Sequence, residues 1–178
     1  MCWGIIKKRW LIVAGVILFS AGQVRATGDF ASWDSGHHEI NAGELYKEIW
    51  MHNDATADMW GGHVYQLGTQ GTSIFNMYGG TVDMFLIRYN STVNIYGGIP
   101  DKVGLAEDAL LNLYAYDVAI HPTGGYYDNG WIEGKYISND QYFAFDLGSY
   151  DISHINIIPE PTTLLLFSVG SIVFLRKR

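Results

Sequence analysis

The chain has 178 residues, 48% of them hydrophobic, with a formal net charge of −7. Its one cysteine, Cys2, excludes an internal disulfide and a thiolate metal cluster. Residues 27–158 carry only four cations (Lys47, Arg88, Lys102, Lys135) against 17 acids (all 18 but Glu160), a balance near −13 that repels phosphate backbones, so no nucleic-acid partner is expected.

In chain order, residues 1–26 read as a secretory signal peptide. Lys7-Lys8-Arg9 is followed by an apolar run from Trp10 to Ala21, and Val24 and Ala26 stand at the minus-three and minus-one places, so signal peptidase is expected to cut after Ala26. The run is shorter than the ~20 residues of a permanent span. This helix is therefore expected to be removed, taking Cys2 with it.

Residues 27–43 read as an irregular leader and N-terminal cap, rich in small and polar residues. His37 and His38, if extended, point to opposite faces and do not grip one ion together. Gly43-Glu44-Leu45 echoes Gly62-His63-Val64 and Gly80-Thr81-Val82, but one residue out of phase, as terminal units that cap a stack commonly are.

Residues 44–120 carry a repeat. Asp58-Met59-Trp60-Gly61-Gly62, Asn76-Met77-Tyr78-Gly79-Gly80 and Asn94-Ile95-Tyr96-Gly97-Gly98 recur every 18 residues, and Asn112-Leu113-Tyr114 follows at the same spacing. Self-similarity of this kind means one unit stacked on its copies, none able to bury its apolar face alone. Within a unit, Val82, Met84 and Leu86 alternate with Asp83, Phe85 and Ile87, and Val93 and Ile95 with Asn94 and Tyr96. Period-two alternation marks strands with one buried face, and the glycine pair supplies a corner.

The fold expected is all-β, a small parallel β-solenoid. Its rungs would stack apolar ladders (Ala57, Phe75, Val93, Leu111; Met59, Met77, Ile95, Leu113), a polar ladder (Asp58, Asn76, Asn94, Asn112) and an outward aromatic ladder (Trp60, Tyr78, Tyr96, Tyr114). The fourth unit loses its glycine pair to Ala115-Tyr116, and Pro100 is expected to interrupt the strand before it, so the stack closes there. Residues 121–158 have turn signals at Pro122-Thr123-Gly124-Gly125 and Asp128-Asn129-Gly130 around alternating stretches at 131–137, 142–147 and 152–157. They predict an antiparallel hairpin cap over the open end.

Catalytic motifs are missing: there is no nucleophile triad, phosphate loop, HExxH or Cys/His cluster, and no catalytic residue or cofactor is expected. Asp128-Asn129-Gly130 and Asn139-Asp140 are oxygen-rich enough for calcium, but turn formation accounts for them without an ion. Asn90-Ser91-Thr92 fits a glycosylation acceptor and equally a turn between strands. The aromatic ladder reads as structural, with sugar stacking as its alternative use.

Residues 159–178 open on Pro159-Glu160-Pro161, continue as an apolar helix through Leu175 and end on Arg176-Lys177-Arg178. An apolar segment closed by cations leaves its C-terminus on the cytoplasmic side of a transmembrane helix. These residues resemble the PEP-CTERM sorting signal of Gram-negative bacteria that make extracellular polysaccharide. The resemblance implies recognition by exosortase, cleavage at or near the motif, passage through the inner membrane, and a final place at the cell surface or outside it. It suggests exopolysaccharide as a partner. Thr162-Thr163 fits the small polar residues usual after the motif, while the mixed Arg176-Lys177-Arg178 tail departs slightly from an all-Arg one.

The reading is thus an exported structural or matrix protein without catalysis. The alternatives are a carbohydrate-binding module using the aromatic ladder and, at greater distance, a polysaccharide lyase or hydrolase of the β-helix type.

Overall fold

A computed structural model describes residues 25–125, 129–149 and 152–159. The signal helix, the transmembrane helix and all of the sorting motif after Pro159 fall outside the described residues, and no helix within them is long and apolar enough to cross a membrane.

The strands are β1 (Arg25–Trp33), β2 (His37–Ile40), β3 (Glu44–Met51), β4 (Thr56–Met59), β5 (His63–Thr69), β6 (Ile74–Met77), β7 (Thr81–Ile87), β8 (Thr92–Ile95), β9 (Ile99–Leu105), β10 (Leu110–His121), β11 (Trp131–Tyr136), β12 (Tyr142–Ser149) and β13 (Ile155–Ile158). Each rung is one long and one short strand. The long strands β1, β3, β5, β7 and β9 pair in parallel, as do the short strands β2, β4, β6 and β8 with the start of β10. Together they make about five turns of a parallel β-solenoid, as the 18-residue period predicts.

Register confirms the ladders. Ala57 pairs Phe75, which pairs Val93, which pairs Leu111, and Met59, Met77, Ile95 and Leu113 follow in step. All eight side chains are fully buried. They face the long-strand ladders Ile49, Leu67, Phe85, Val103 and Met51, Thr69, Ile87, Leu105. Phe75 and Phe85 meet edge to face across the core at 5.8 Å. Each such aliphatic or aromatic side chain taken from water stabilises the stack by about 1.5–3 kcal/mol.

Strict alternation fails within the long strands. Val82, Phe85 and Ile87 are buried, so Met84 and Leu86 are not on the inner face with Val82. Two successive residues turn outward at the same place in each rung, Tyr65-Gln66 in β5, Asp83-Met84 in β7 and Asp101-Lys102 in β9. Because every rung bends there, the ladder stays in register.

Two corners close each rung. At the first, the second glycine of each pair is left-handed (Gly62 φ +84°, Gly80 +87°, Gly98 +98°), while the first is excluded sterically: a Cβ at Gly97 would lie 2.7 Å from the Tyr78 carbonyl oxygen one rung back. At the second corner Asn53, Gly71, Tyr89 and Glu107, again 18 apart, have φ of +50°, +75°, +58° and +62°. Beside them runs a buried column of small side chains, Ala55, Ser73, Ser91 and Ala109.

The N-terminal leader is not irregular. Residues 25–40 form the first rung, β1 and β2, paired in register with β3 and β4. Its phase slip is local: the 34–36 corner is one residue shorter than 52–55, and the chain from Asn41 to Glu44 one residue longer than 60–62. Trp33 and His38 stack at 4.4 Å and cover the end of the core, with Tyr46 against the indole edge. Cleavage after Ala26 would fall inside β1 and leave it starting at Thr27.

Pro100 does not interrupt a strand; it is the second residue of β9 and pairs Val82. The Ile99 amide donates to Gly80, so the next position faces away from β7, where β12 begins only at Lys102. The missing N–H therefore costs no ladder bond.

The C-terminal end differs from a simple antiparallel cap. Without a glycine corner, β10 runs on for 12 residues, with a bulge after Tyr116, and pairs β11 antiparallel. β12 returns antiparallel to β11 but parallel to β9, and β13 lies parallel to β10, so this pair prolongs both ladders. Stretch 152–157, expected as a hairpin strand, is a short 3-10 turn at Ile152–His154 followed by that parallel strand.

Candidate functional site

The repeat places four aromatic rings on one outer column. Trp60 and Tyr78 stack at 4.1 Å, Tyr78 and Tyr96 at 4.9 Å, Tyr96 and Tyr114 at 4.1 Å, with planes within 22° of parallel. The rings thus cover one another's faces and turn their edges outward. Trp60 begins the column after Asn41 and is 54% exposed, while the three tyrosines are half-buried. Burial first, then the Tyr114 hydroxyl bond, pushes the Tyr96 phenol far above its ordinary range; burial and Asp58 raise Tyr78 as well. No face of Tyr78 or Tyr96 is left for a sugar ring.

The polar ladder beside it is directional. Asn76 donates to Asp58, Asn94 to Asn76 and Asn112 to Asn94, each at 2.8 Å, and Asn156 adds a further rung at 3.2 Å. Asn76, Asn94 and Asn112 each give toward the N-terminus and accept from the next rung. At Asp58 the chain ends on a carboxylate, which only accepts. Glu39 pairs it one rung further, and His37 approaches it at 3.7 Å. Asn156 was hidden from spacing because β11 and β12 intervene.

The two adjacent histidines do diverge, His37 toward Thr56 and Asp58 outside, His38 onto Trp33. The oxygen-rich turns use their groups internally. Asn129 donates to the Gly148 carbonyl and Asn139 accepts from the Gln141 amide, while Asp140 accepts from Tyr116. Asp128 lies outside the described residues. Among the described residues no three His, Cys, Asp or Glu side chains gather to hold a metal ion. In the 90–92 turn Ser91 is fully buried, donating to the Arg88 carbonyl and touching Thr69 at 3.0 Å.

One feature had no counterpart in the sequence reading. On the outer face of the long strands, Leu86, Gly104 and Gly148 floor a groove of about 330 Å³, with Arg88, Tyr89, Lys102 and Glu107 around it. The signal was there in the glycines. Trp50 lies over Gly68 one side of Leu86, within 2.3 Å of where a Cβ would stand, whereas at Gly104 the nearest side chain among the described residues, Leu86, is 3.6 Å from that place.

At the other end of the chain, residues 158–178 match the family model of the PEP-CTERM protein-sorting motif. The chain therefore carries the recognition signal for exosortase processing, beginning at the last residue of β13. Ala26, Pro159, Glu160, Pro161, Arg176, Lys177 and Arg178 are the processing residues expected from sequence, and of these the last five lie outside the described residues. Comparison with the curated proteins and with the solved structures finds no match.

Proposed function

We propose that this chain is an exported, non-catalytic structural protein of the cell surface or extracellular matrix, delivered by exosortase. The sorting motif at 158–178 is the observation that carries the delivery. What supports a structural role is how the repeat is spent: its amides bond one another and its rings cover one another, so the regular surface is committed to holding the stack. The balance near −13 over residues 27–158 keeps such a body soluble outside the cell.

Mass spectrometry of the extracellular form tests this. The expected species starts at Thr27 and ends near Pro159–Pro161; an extracellular chain still ending in Arg178 would contradict it.

A carbohydrate-binding role is the second reading, and one observation favours it: Trp60 is half-exposed at the open end of its column. Glycan-array binding lost on Trp60→Ala, and unchanged on Tyr96→Phe, would move the protein to that class. A lyase or hydrolase role has only the β-helix analogy behind it.

A further inference from the structure

We propose that β13 is a releasable strap, which must leave β10 before exosortase can process the chain. This rests on the sorting reading above. The sorting match begins at Ile158, and Ile158 is also the last residue of β13, paired with Tyr114 of β10. Pro159 follows at once, so no spacer separates the folded body from the motif. A membrane enzyme that binds the chain on both sides of its cleavage point needs several residues free and extended. Residues hydrogen-bonded into a sheet cannot lie in a second cleft at the same time, and must first open.

β13 is built to open. It is four residues long and, among the described residues, has β10 as its one strand neighbour, with exposed Asn156 and Ile157 and with Ile155 and Ile158 only partly covered. A side-chain bond, from Asn156 to Asn112 at 3.2 Å, joins it to β10. The 3-10 turn before it, Ile152–His154, buries no residue. β12 is the opposite case, holding Phe143, Phe145 and Leu147 in the core between β11 and β9. Peeling should therefore stop at β12. Residues 152–158 would then give roughly 23 Å of extended chain at about 3.3 Å per residue. The core residues Leu111 and Leu113 of β10 keep their neighbours in β8, so the body survives the release.

The test is a lock. In the full chain, Asn112→Cys with Asn156→Cys places two thiols on directly paired residues, and Cys2 leaves with the signal. Co-expressed with exosortase and oxidised, this variant should be processed at least tenfold more slowly than the parent, with the rate recovered on reduction. Inserting an eight-residue Gly/Ser spacer between Ile158 and Pro159 should restore processing while the lock stays closed. Processing of the locked chain at the parental rate, or no rescue by the spacer, overturns the proposal. Hydrogen exchange decides independently of the enzyme: amides of Ile155–Ile158 should exchange at least a hundredfold faster than those of Leu111–Leu113, and equal protection overturns it too. If the parent itself is never processed, the sorting reading has failed, and the exchange result alone judges the strap.

Discussion

Three side chains at the second corner, those of Asn53, Tyr89 and Glu107, sit in a conformation that L-residues adopt at a cost of about 1–2 kcal/mol. Tyr89 and Glu107 are the least suited to it, at φ +58° and +62°. Tyr89→Gly is expected to raise stability by about 1 kcal/mol in a denaturant titration, since the half-exposed ring leaves little packing to lose. Gly97→Ala should do the reverse, by about 3 kcal/mol, because the new methyl would press on the Tyr78 carbonyl oxygen. Two buried hydroxyls, of Ser73 and Tyr136, have no hydrogen-bond partner among the described residues. Ser73→Ala, which copies Ala55 and Ala109 in the same column, is expected to stabilise by about 1 kcal/mol. At this scale the sequence showed the glycine corner because the same residue recurs. It concealed the second corner because Asn, Gly, Tyr and Glu meet one backbone demand with unlike side chains.

Elements are joined here by ladders, and a directional ladder is easily reversed. Asn94→Asp would set a carboxylate against the Asn76 oxygen, acceptor to acceptor. The folded state then favours the protonated acid, so its carboxyl is expected above the usual range. Stability should be near parental below the unfolded carboxyl pKa and fall as pH rises through the raised one, which thermal melts between pH 3 and 8 would show. The β11–β12 hairpin has the opposite dependence. Glu133 is held below its ordinary value by the Tyr142 hydroxyl first and by His121 second, which ties β10, β11 and β12 together. That contribution is present above the unfolded carboxyl pKa and lost as pH falls through the lowered one. Amides of β11 should lose protection relative to the solenoid core as pH falls from 7 to 3, and Glu133→Gln should remove that pH dependence. Both apolar ladders, the amide ladder and the aromatic one were legible because equal spacing alone generates them. The fate of β12 and β13 was not, since the inserted β11 sets Asn112 and Asn156 44 positions apart and erases the period. The bend after Val82 was equally hidden, because alternation says which residues share a face only while the strand stays straight.

For the molecule as a whole, a stack of rungs has two ends, and this chain treats them differently. β12, β11 and β13 cover the last rung, while β1 and β2 each have one strand neighbour among the described residues, with Trp33 and His38 over the core. Three covered phenols are expected to set an upper pH limit. Tyr78, Tyr96 and Tyr136 are all raised, chiefly by burial, so their contribution is complete below pH 10.0 and disappears as pH climbs toward their folded values. Unfolding of the body is expected to set in above that pH, with phenolate absorbance and loss of β signal appearing together. The sequence spoke plainly about delivery and about the period; of the groove it held only the glycine at Gly104, whose meaning appears once the long strands are laid side by side.

Methyl NOEs in the secreted body test the central claim most directly, because they report which side chains stand one rung apart. The account expects a continuous chain of contacts from Met59 to Met77, Ile95 and Leu113, with strand pairs about 4.8 Å apart joining residues 18 positions distant. Contacts that instead run in opposite directions through 56–59, 74–77 and 92–95, as in a meander of hairpins, would contradict it.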